Sequence, residues 1–336
     1  MVNIKITMSA CMETGKPKIA ILMAVYEPRM DWLREQLLSL DAQTYPNLTL
    51  YVRDDCSPTV PFEDIQKCIR ECIHAFSYTI ARNEKNLGSN GTFELLTNEA
   101  EAEYFAYCDQ DDIWLPEKLE ILQREIEKTG ALLVCSDMYV IDGEGKVKAD
   151  SITKVRRHHK FLSGENITES LLFRNFVTGC TMLIRSEVAK QAIPFCPYMV
   201  HDHYLALFVS IRGSIRSLNQ SLVKYRIHGG NQTDLMAGVS DRESYLRIRI
   251  EAPRKKFKWL LQYFPCQKRL RNIIQSALEW TDARYRNMKR EDKKAFLIIW
   301  KHRSISLYPS IFEMVAPYLP DKTFHFFICC ARKNLL

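Results

Sequence analysis

Between residues 18 and 142 the chain alternates two patterns of apolar and polar positions. Unbroken apolar runs, such as KIAILMAVY (18–26) and EYFAYCD (103–109), have the form of strands buried on both faces of a parallel sheet. LTLYVRDD (48–55), SYTIARN (77–83) and ALLVCSDMYVID (131–142) read as further strands. Between them lie stretches with apolar residues at helical spacing: RMDWLREQLLSLDAQ (29–43), FEDIQKCIRECIHAF (62–76), NLGSNGTFELLTNEA (86–100) and LPEKLEILQREIEK (115–128). The last begins with proline, which suits a first helical turn. Strands alternating with helices predict an α/β fold with a mostly parallel sheet flanked by helices.

Past about residue 150 the alternation loosens. FRNFVTGCTMLIRSEVAKQA (173–192) reads as strand then helix, HDHYLALFVSIRG (201–213) as a helix, and LVKYRIHGGNQTD (222–234) as a strand entering a Gly-Gly loop. Three regions follow: a flexible lead-in over 1–16, a catalytic α/β domain over 17–235, and a mainly helical region over 236–336. Composition fits a folded globular chain, with 46% hydrophobic and 26% charged residues. No run of 18 apolar residues occurs, so no transmembrane helix is expected, and the lead-in lacks the pattern of a signal peptide. The 11 cysteines form no CxxC pair, which favours reduced thiols over a zinc site.

The net charge of +7 is unevenly spread: between Arg242 and Arg303 there are 18 Lys/Arg against 6 Asp/Glu. That region is therefore expected to meet an anionic partner, and its mixture of cations with aromatic and aliphatic residues suits a membrane surface. Packing on the core with solvated cations outside is the alternative. No nucleic-acid motif is present, and no nucleic-acid partner is expected.

Polar clusters fall where the predicted parallel strands end, which is where ligands bind in such sheets. They are Tyr26-Glu27, Asp54-Asp55 and Asp109-Gln110-Asp111-Asp112. The last suits a hard divalent cation, because carboxylate oxygens with phosphate and water complete the shell of Mg²⁺ or Mn²⁺. Read alone, it is equally a solvated acidic turn. Asp202 alone reads as a helix N-cap, and Gly179-Cys180 as a strand bulge. Asn86-Leu87-Gly88 is by itself an ordinary turn. His201 and His203 face different directions on a helix, which argues against a shared zinc.

The segments AVYEP, RDDCSP, NEKNLGSNGTF, CDQDDIWLPEKL, FVTGCTMLIRSE and YRIHGGNQ occur in the order seen in family 2 glycosyltransferases of GT-A fold. DQDDIW with HDHYLA and YRIHG resembles the bacterial rhamnosyltransferase branch of that family. The resemblance covers about residues 18–235. It implies an inverting, metal-dependent glycosyltransferase using Mn²⁺ or Mg²⁺. Ala24, Tyr26 and Glu27 would line the nucleotide pocket, with Asn86, Gly88 and Gln110 beside the donor. Asp55 would accept from the N3–H of uracil or thymine. Asp109 would lie near the ribose and the metal, Asp111 would be the main metal ligand, and Asp112 would support it or the sugar hydroxyls of the donor. Gly179 would run beside the donor sugar and the acceptor. Asp202 would be the catalytic base, although many members have Glu-Asp where this chain has His-Asp, and the role of His201 is open. Arg226 and His228 would close over the diphosphate, His228 also reaching the metal.

The expected reaction moves L-rhamnose from dTDP-rhamnose to a glycan or polyprenyl-diphosphate-linked acceptor in cell-surface polysaccharide synthesis. It would take place on the cytoplasmic face of the membrane, with the protein bound peripherally. A UDP-hexose or UDP-N-acetylhexosamine donor and a non-catalytic membrane-associated protein of the same fold are the alternatives. A nucleotidyltransferase is disfavoured, because AVYEPRM lacks the glycine-rich phosphate loop such an enzyme needs.

Overall fold

The computed structural model describes residues 4–6, 15–156, 159–228 and 238–332. The chain divides into two compact units, Met1–Gly229 and Gly230–Leu336.

The first unit is built on one sheet. Its strands are β1 (Ile4–Ile6), β2 (Ile19–Val25), β3 (Leu48–Asp54), β4 (Ser77–Arg82), β5 (Tyr104–Cys108), β6 (Ile113–Trp114), β7 (Leu133–Ile141), β8 (Val147–Ala149), β9 (Met182–Arg185) and β10 (Ile215–Arg226). Among the described residues the order is β1-β4-β3-β2-β5-β9-β7-β10-β6, with β8 beside β7. Helices α1 (Met30–Asp41), α2 (Phe62–Cys72), α3 (Gly88–Glu99), α4 (Lys118–Thr129), α5 (Ile152–Val155), α6 (Thr168–Phe173), α7 (Ser186–Gln191) and α8 (His201–Ser210) complete it. Within the stretch read as a lead-in, β1 pairs antiparallel with β4, Ile4 opposite Ile80.

The expected apolar runs are the buried strands. Ile19 to Met23 are fully buried between β3 and β5, and both of these neighbours run parallel to β2. Each helical stretch lays its apolar stripe on that layer; Leu33, Leu37 and Leu40 of α1 join the same core as Ile65 and Ile69 of α2.

The reversed direction of β9 matters most for function. β9 runs antiparallel to both β5 and β7, with Met182 opposite Cys135 and Arg185 opposite Tyr104. Its first residue therefore lies toward the carboxyl end of β5. The helical turn Gly179–Thr181 that leads into β9 is thereby delivered to the edge where β2, β3 and β5 end. This inversion is absent from the strand–helix alternation of the sequence, because a four-residue apolar run has the same pattern in either direction.

The second unit is helical: α9 (Arg242–Tyr245), α10 (Ala252–Tyr263), α11 (Lys268–Met288), α12 (Ala295–Lys301), α13 (Leu307–Val315) and α14 (Asp321–Arg332). Its interior holds a charged pair, Arg284 on α11 with Glu313 on α13, and the Tyr245 hydroxyl donates to Glu313 at 2.7 Å. Removing either partner of such a pair would be strongly destabilising, because the other charge would be left buried and uncompensated. No helix among the described residues is long and apolar enough to cross a membrane.

Candidate active site

Asp202 lies in the first turn of α8, whose N-cap is Val200, so its carboxylate is not the helix cap. It is buried, and three donors converge on it. Gly179 N–H donates to Oδ2 at 3.0 Å, Asn175 Nδ2 donates to Oδ1 at 2.9 Å, and the His203 amide donates to Oδ1. Burial raises its pKa to about 6 against the pull of these donors. The donors hold the carboxylate in one orientation, and at that pKa it is ionised at neutral pH, as a general base must be. Asn175 carries no signal in the sequence that would single it out.

His201 is packed in the same corner, its ring tilted against those of Phe93 and Tyr107 with centroids 4.1 and 5.2 Å away. Burial lowers its pKa to about 3, so it is neutral. His203 turns the other way and bonds the Leu171 carbonyl, so the two histidines do not converge on one ion. A Cβ on Gly179 would lie 2.7 Å from His201 Nε2. Gly179→Ala is therefore expected to destabilise by about 1–3 kcal/mol through overpacking and to displace the amide that holds Asp202. Thermal melting and activity of Gly179→Ala, beside Gly179→Ala/His201→Ala, check this: the double variant should recover both.

The acidic run leaves the end of β5. Asp109 is partly exposed, and its carboxyl is held well above the usual carboxylate range, first by burial and then by Asp112, Asp111 and Asp202. Carboxylate and thiol atoms of Asp109, Asp112 and Cys180 lie within 4.8 Å of one another. A thiol is a soft ligand and a poor partner for Mg²⁺ or Mn²⁺. An amine is already present there: Lys118 is fully buried, donates to the Cys180 carbonyl at 2.7 Å, and sits over the Trp114 ring, and burial lowers its pKa to about 7. Lys118 shares the inward stripe of α4 with Leu122 and Ile126, and a lysine on an apolar stripe is the sequence signal that could have found it. Asp111 faces outward and accepts from or is paired with His228 Nε2 at 2.7 Å. Asp109 and Asp111 offer carboxylate oxygens of the kind that suits a divalent cation bound to phosphate, with His228 against Asp111.

Several expected contacts take another form. Asp112 is fully buried, its Oδ1 accepting the Arg226 amide at 2.9 Å, so it supports the turn from inside, while its Oδ2 has no hydrogen-bond partner. Arg226, expected over a diphosphate, is 1% exposed. It bonds the carbonyls of Asp111, Asp142 and Gly143 and pairs with Glu35. These contacts hold the guanidinium inward. Glu27 sits at φ 45° and its carboxylate accepts from the Thr59 and Val60 amides, bracing the loop after β3.

The remaining expected residues gather at the ends of β2 and β3. The Asp55 amide donates to the Val25 carbonyl at 2.7 Å. Its Oδ1 accepts from Asn83 Nδ2 at 2.8 Å and from the Leu87 amide at 2.7 Å. Asn86 Oδ1 accepts from the Gly88 amide, and Gly88 opens α3 at φ 72°. Gln110 exchanges two bonds with the Tyr26 backbone, at 2.8 and 3.0 Å, tying the acidic run to the end of β2, where Ala24 is partly buried.

The family profile "Glycosyl transferase family 2" matches residues 20–191. An uncharacterized glycosyltransferase of Haemophilus influenzae is 26% identical over 70% of this chain and 73% of its own length. The UDP-Glc:alpha-D-GlcNAc-diphosphoundecaprenol beta-1,3-glucosyltransferase WfgD of Escherichia coli is 23% identical over 73% of this chain and 91% of its own. The structure of S. aureus TarS 1-349 in complex with UDP-GlcNAc superposes with a TM-score of 0.58 at 14% identity, covering 94% of this chain and 92% of that one. The mannosyltransferase PcManGT from Pyrobaculum calidifontis in complex with GDP-Man and Mn2+ gives 0.55 at 12% identity, covering 96% and 88%. The profile match takes in the strand ends, the acidic run and the Gly179 turn together, and the chain belongs to glycosyl transferase family 2.

Proposed function

We propose that the chain transfers a sugar, with inversion, from a pyrimidine nucleoside diphosphate donor to a hydroxyl of a glycan or polyprenyl-diphosphate-linked acceptor met at an anionic membrane surface. The observation that carries this reading is the Asp202 carboxylate, clamped by three donors, poised at about 6, and set beside the acidic run at the end of β5.

Asp55 would accept from the N3–H of the base, with Asn83 and the Leu87 amide holding it in place. A divalent cation held by Asp109 and Asp111, with His228 beside them, would neutralise the donor diphosphate. Asp202 would take the proton of the acceptor hydroxyl as its oxygen bonds to the anomeric carbon. The bond from that carbon to the diphosphate oxygen breaks, and the electron pair leaves with the nucleoside diphosphate. Removing the proton in the transition state is typically worth about 10²–10⁴-fold.

The motif resemblance favours dTDP-rhamnose as donor. A second reading, a UDP-glucose or UDP-N-acetylglucosamine donor, is favoured by the similarity to WfgD and to TarS. Purified protein with Mn²⁺ and each donor in turn tests both, reading released nucleoside diphosphate and thermal shift. A selective response to dTDP-rhamnose is expected. A selective UDP-sugar response would discard rhamnose, and silence toward every donor would move the weight to a non-catalytic role.

A further inference from the structure

Helices α12 and α13 both lay their inner faces on α11. Ile299 of α12 packs in one cluster with Trp280 and Ala283 of α11, while Ser310 and Glu313 of α13 bond Trp280 and Arg284 of the same helix. Their outer faces therefore point away from a common helix, and those faces are apolar. On α12, Phe296, Leu297 and Trp300 are 42, 54 and 48% exposed, the first two each one turn from Trp300. On α13, Tyr308, Ile311 and Val315 repeat at helical spacing, and Tyr308 is 82% exposed. Between Leu307 and Tyr318 the only charged residue is Glu313, which is buried against Arg284. A stripe without exposed charge does not suit free solvent.

The border of this face is basic. Between Lys289 and Arg303 there are six Lys/Arg and two Asp/Glu. Lys293, Lys294, Lys301 and Arg303 are exposed, and the Arg303 guanidinium lies 4.2 Å from the Trp300 ring centroid. Apolar side chains on one face, tryptophan and tyrosine among them, and cations at the rim are the pattern of helices lying in the plane of a bilayer surface. The charge selects the occupant: an anionic headgroup layer meets the rim cations, whereas a second copy would bring the same positive rim against itself.

We propose that the outer face of α12 and α13 is a membrane-insertion surface, entering the headgroup boundary of an anionic bilayer with Trp300 and Tyr308 at the interface. This rests on the reading that the acceptor is met at a membrane.

Full-length protein would be floated with vesicles of phosphatidylcholine alone or with added phosphatidylglycerol, and nucleoside diphosphate release measured on the same preparation. Flotation on the anionic vesicles is expected, with a loss of at least about tenfold in partitioning for Trp300→Ser/Tyr308→Ser/Ile311→Ser and for Lys293→Glu/Lys294→Glu. Tyr308→Ser alone, at a site with little packing, covers the case in which the triple variant does not fold. Trp300 fluorescence should shift to the blue on vesicles, a change lost in Trp300→Phe. Absence of flotation, flotation unchanged by these variants, or a dimer in sedimentation that Tyr308→Ser dissolves would overturn the proposal. Donor turnover without flotation would sink the insertion surface alone, and flotation without any donor response would sink the transferase reading alone.

Discussion

Asp202→Asn is expected to lower turnover by about 10²–10⁴-fold, the usual worth of a general base. Both carboxylate oxygens of Asp202 receive N–H donors, so an asparagine must turn its NH₂ toward one of them. Thermal melting of the variant reads that structural share, and turnover reads the remainder. The pH profile supplies a signature that a merely structural residue would not. Asp202 must be ionised to accept a proton, and burial holds its pKa at about 6. Activity in kcat/KM should therefore fall as the pH drops through about 6. The Asn175 bond lowers that pKa, so Asn175→Ala should move the acid limb to higher pH while leaving activity above the limb much closer to wild type. An acid limb that stays in place in Asn175→Ala would exclude Asp202 as the titrating base.

Asp111→Ala is expected to remove the metal response of donor turnover. Loss of charge stabilisation on a leaving diphosphate is worth several kcal/mol, which corresponds to at least about 10²-fold in kcat/KM. The structure separates this residue from its neighbour: Asp111 faces outward beside His228, whereas Asp112 is sealed beneath the Arg226 amide. Titrating Mn²⁺ against both variants checks the assignment. Asp111→Ala should show no metal dependence at any concentration. Asp112→Asn keeps an oxygen for the Arg226 amide and should keep a metal response. The reverse outcome would place the ion deeper, on the Asp109, Asp112 and Cys180 cluster.

The sheet was readable because a strand buried on both faces must be apolar at every position, and Ile19 to Met23 are. The position of the acidic run was readable for the same reason, since a buried run has to end before three aspartates. Side-chain direction in irregular segments was not readable. Asp111 and Asp112 are adjacent and similar in kind, yet one is outside and the other inside; outside a helix or strand there is no period to separate them. Arg226 was expected over the diphosphate because YRIHGGNQ resembles the family's segment and arginine pairs well with phosphate oxygens. Its inward turn depends on the carbonyls of Asp142 and Gly143, more than 80 residues away.

The sequence by itself determined the family, the parallel core and which strand ends carry acids, because burial and motif order are local properties of the chain. Only the tertiary structure decided that β9 runs backward and delivers Gly179 to Asp202, that Lys118 and Arg226 serve the acidic run from within, and that two helices of the second unit lay their inner faces on one common helix. Each of these depends on buried polar groups finding partners distant in sequence, and no local pattern encodes which partner that will be.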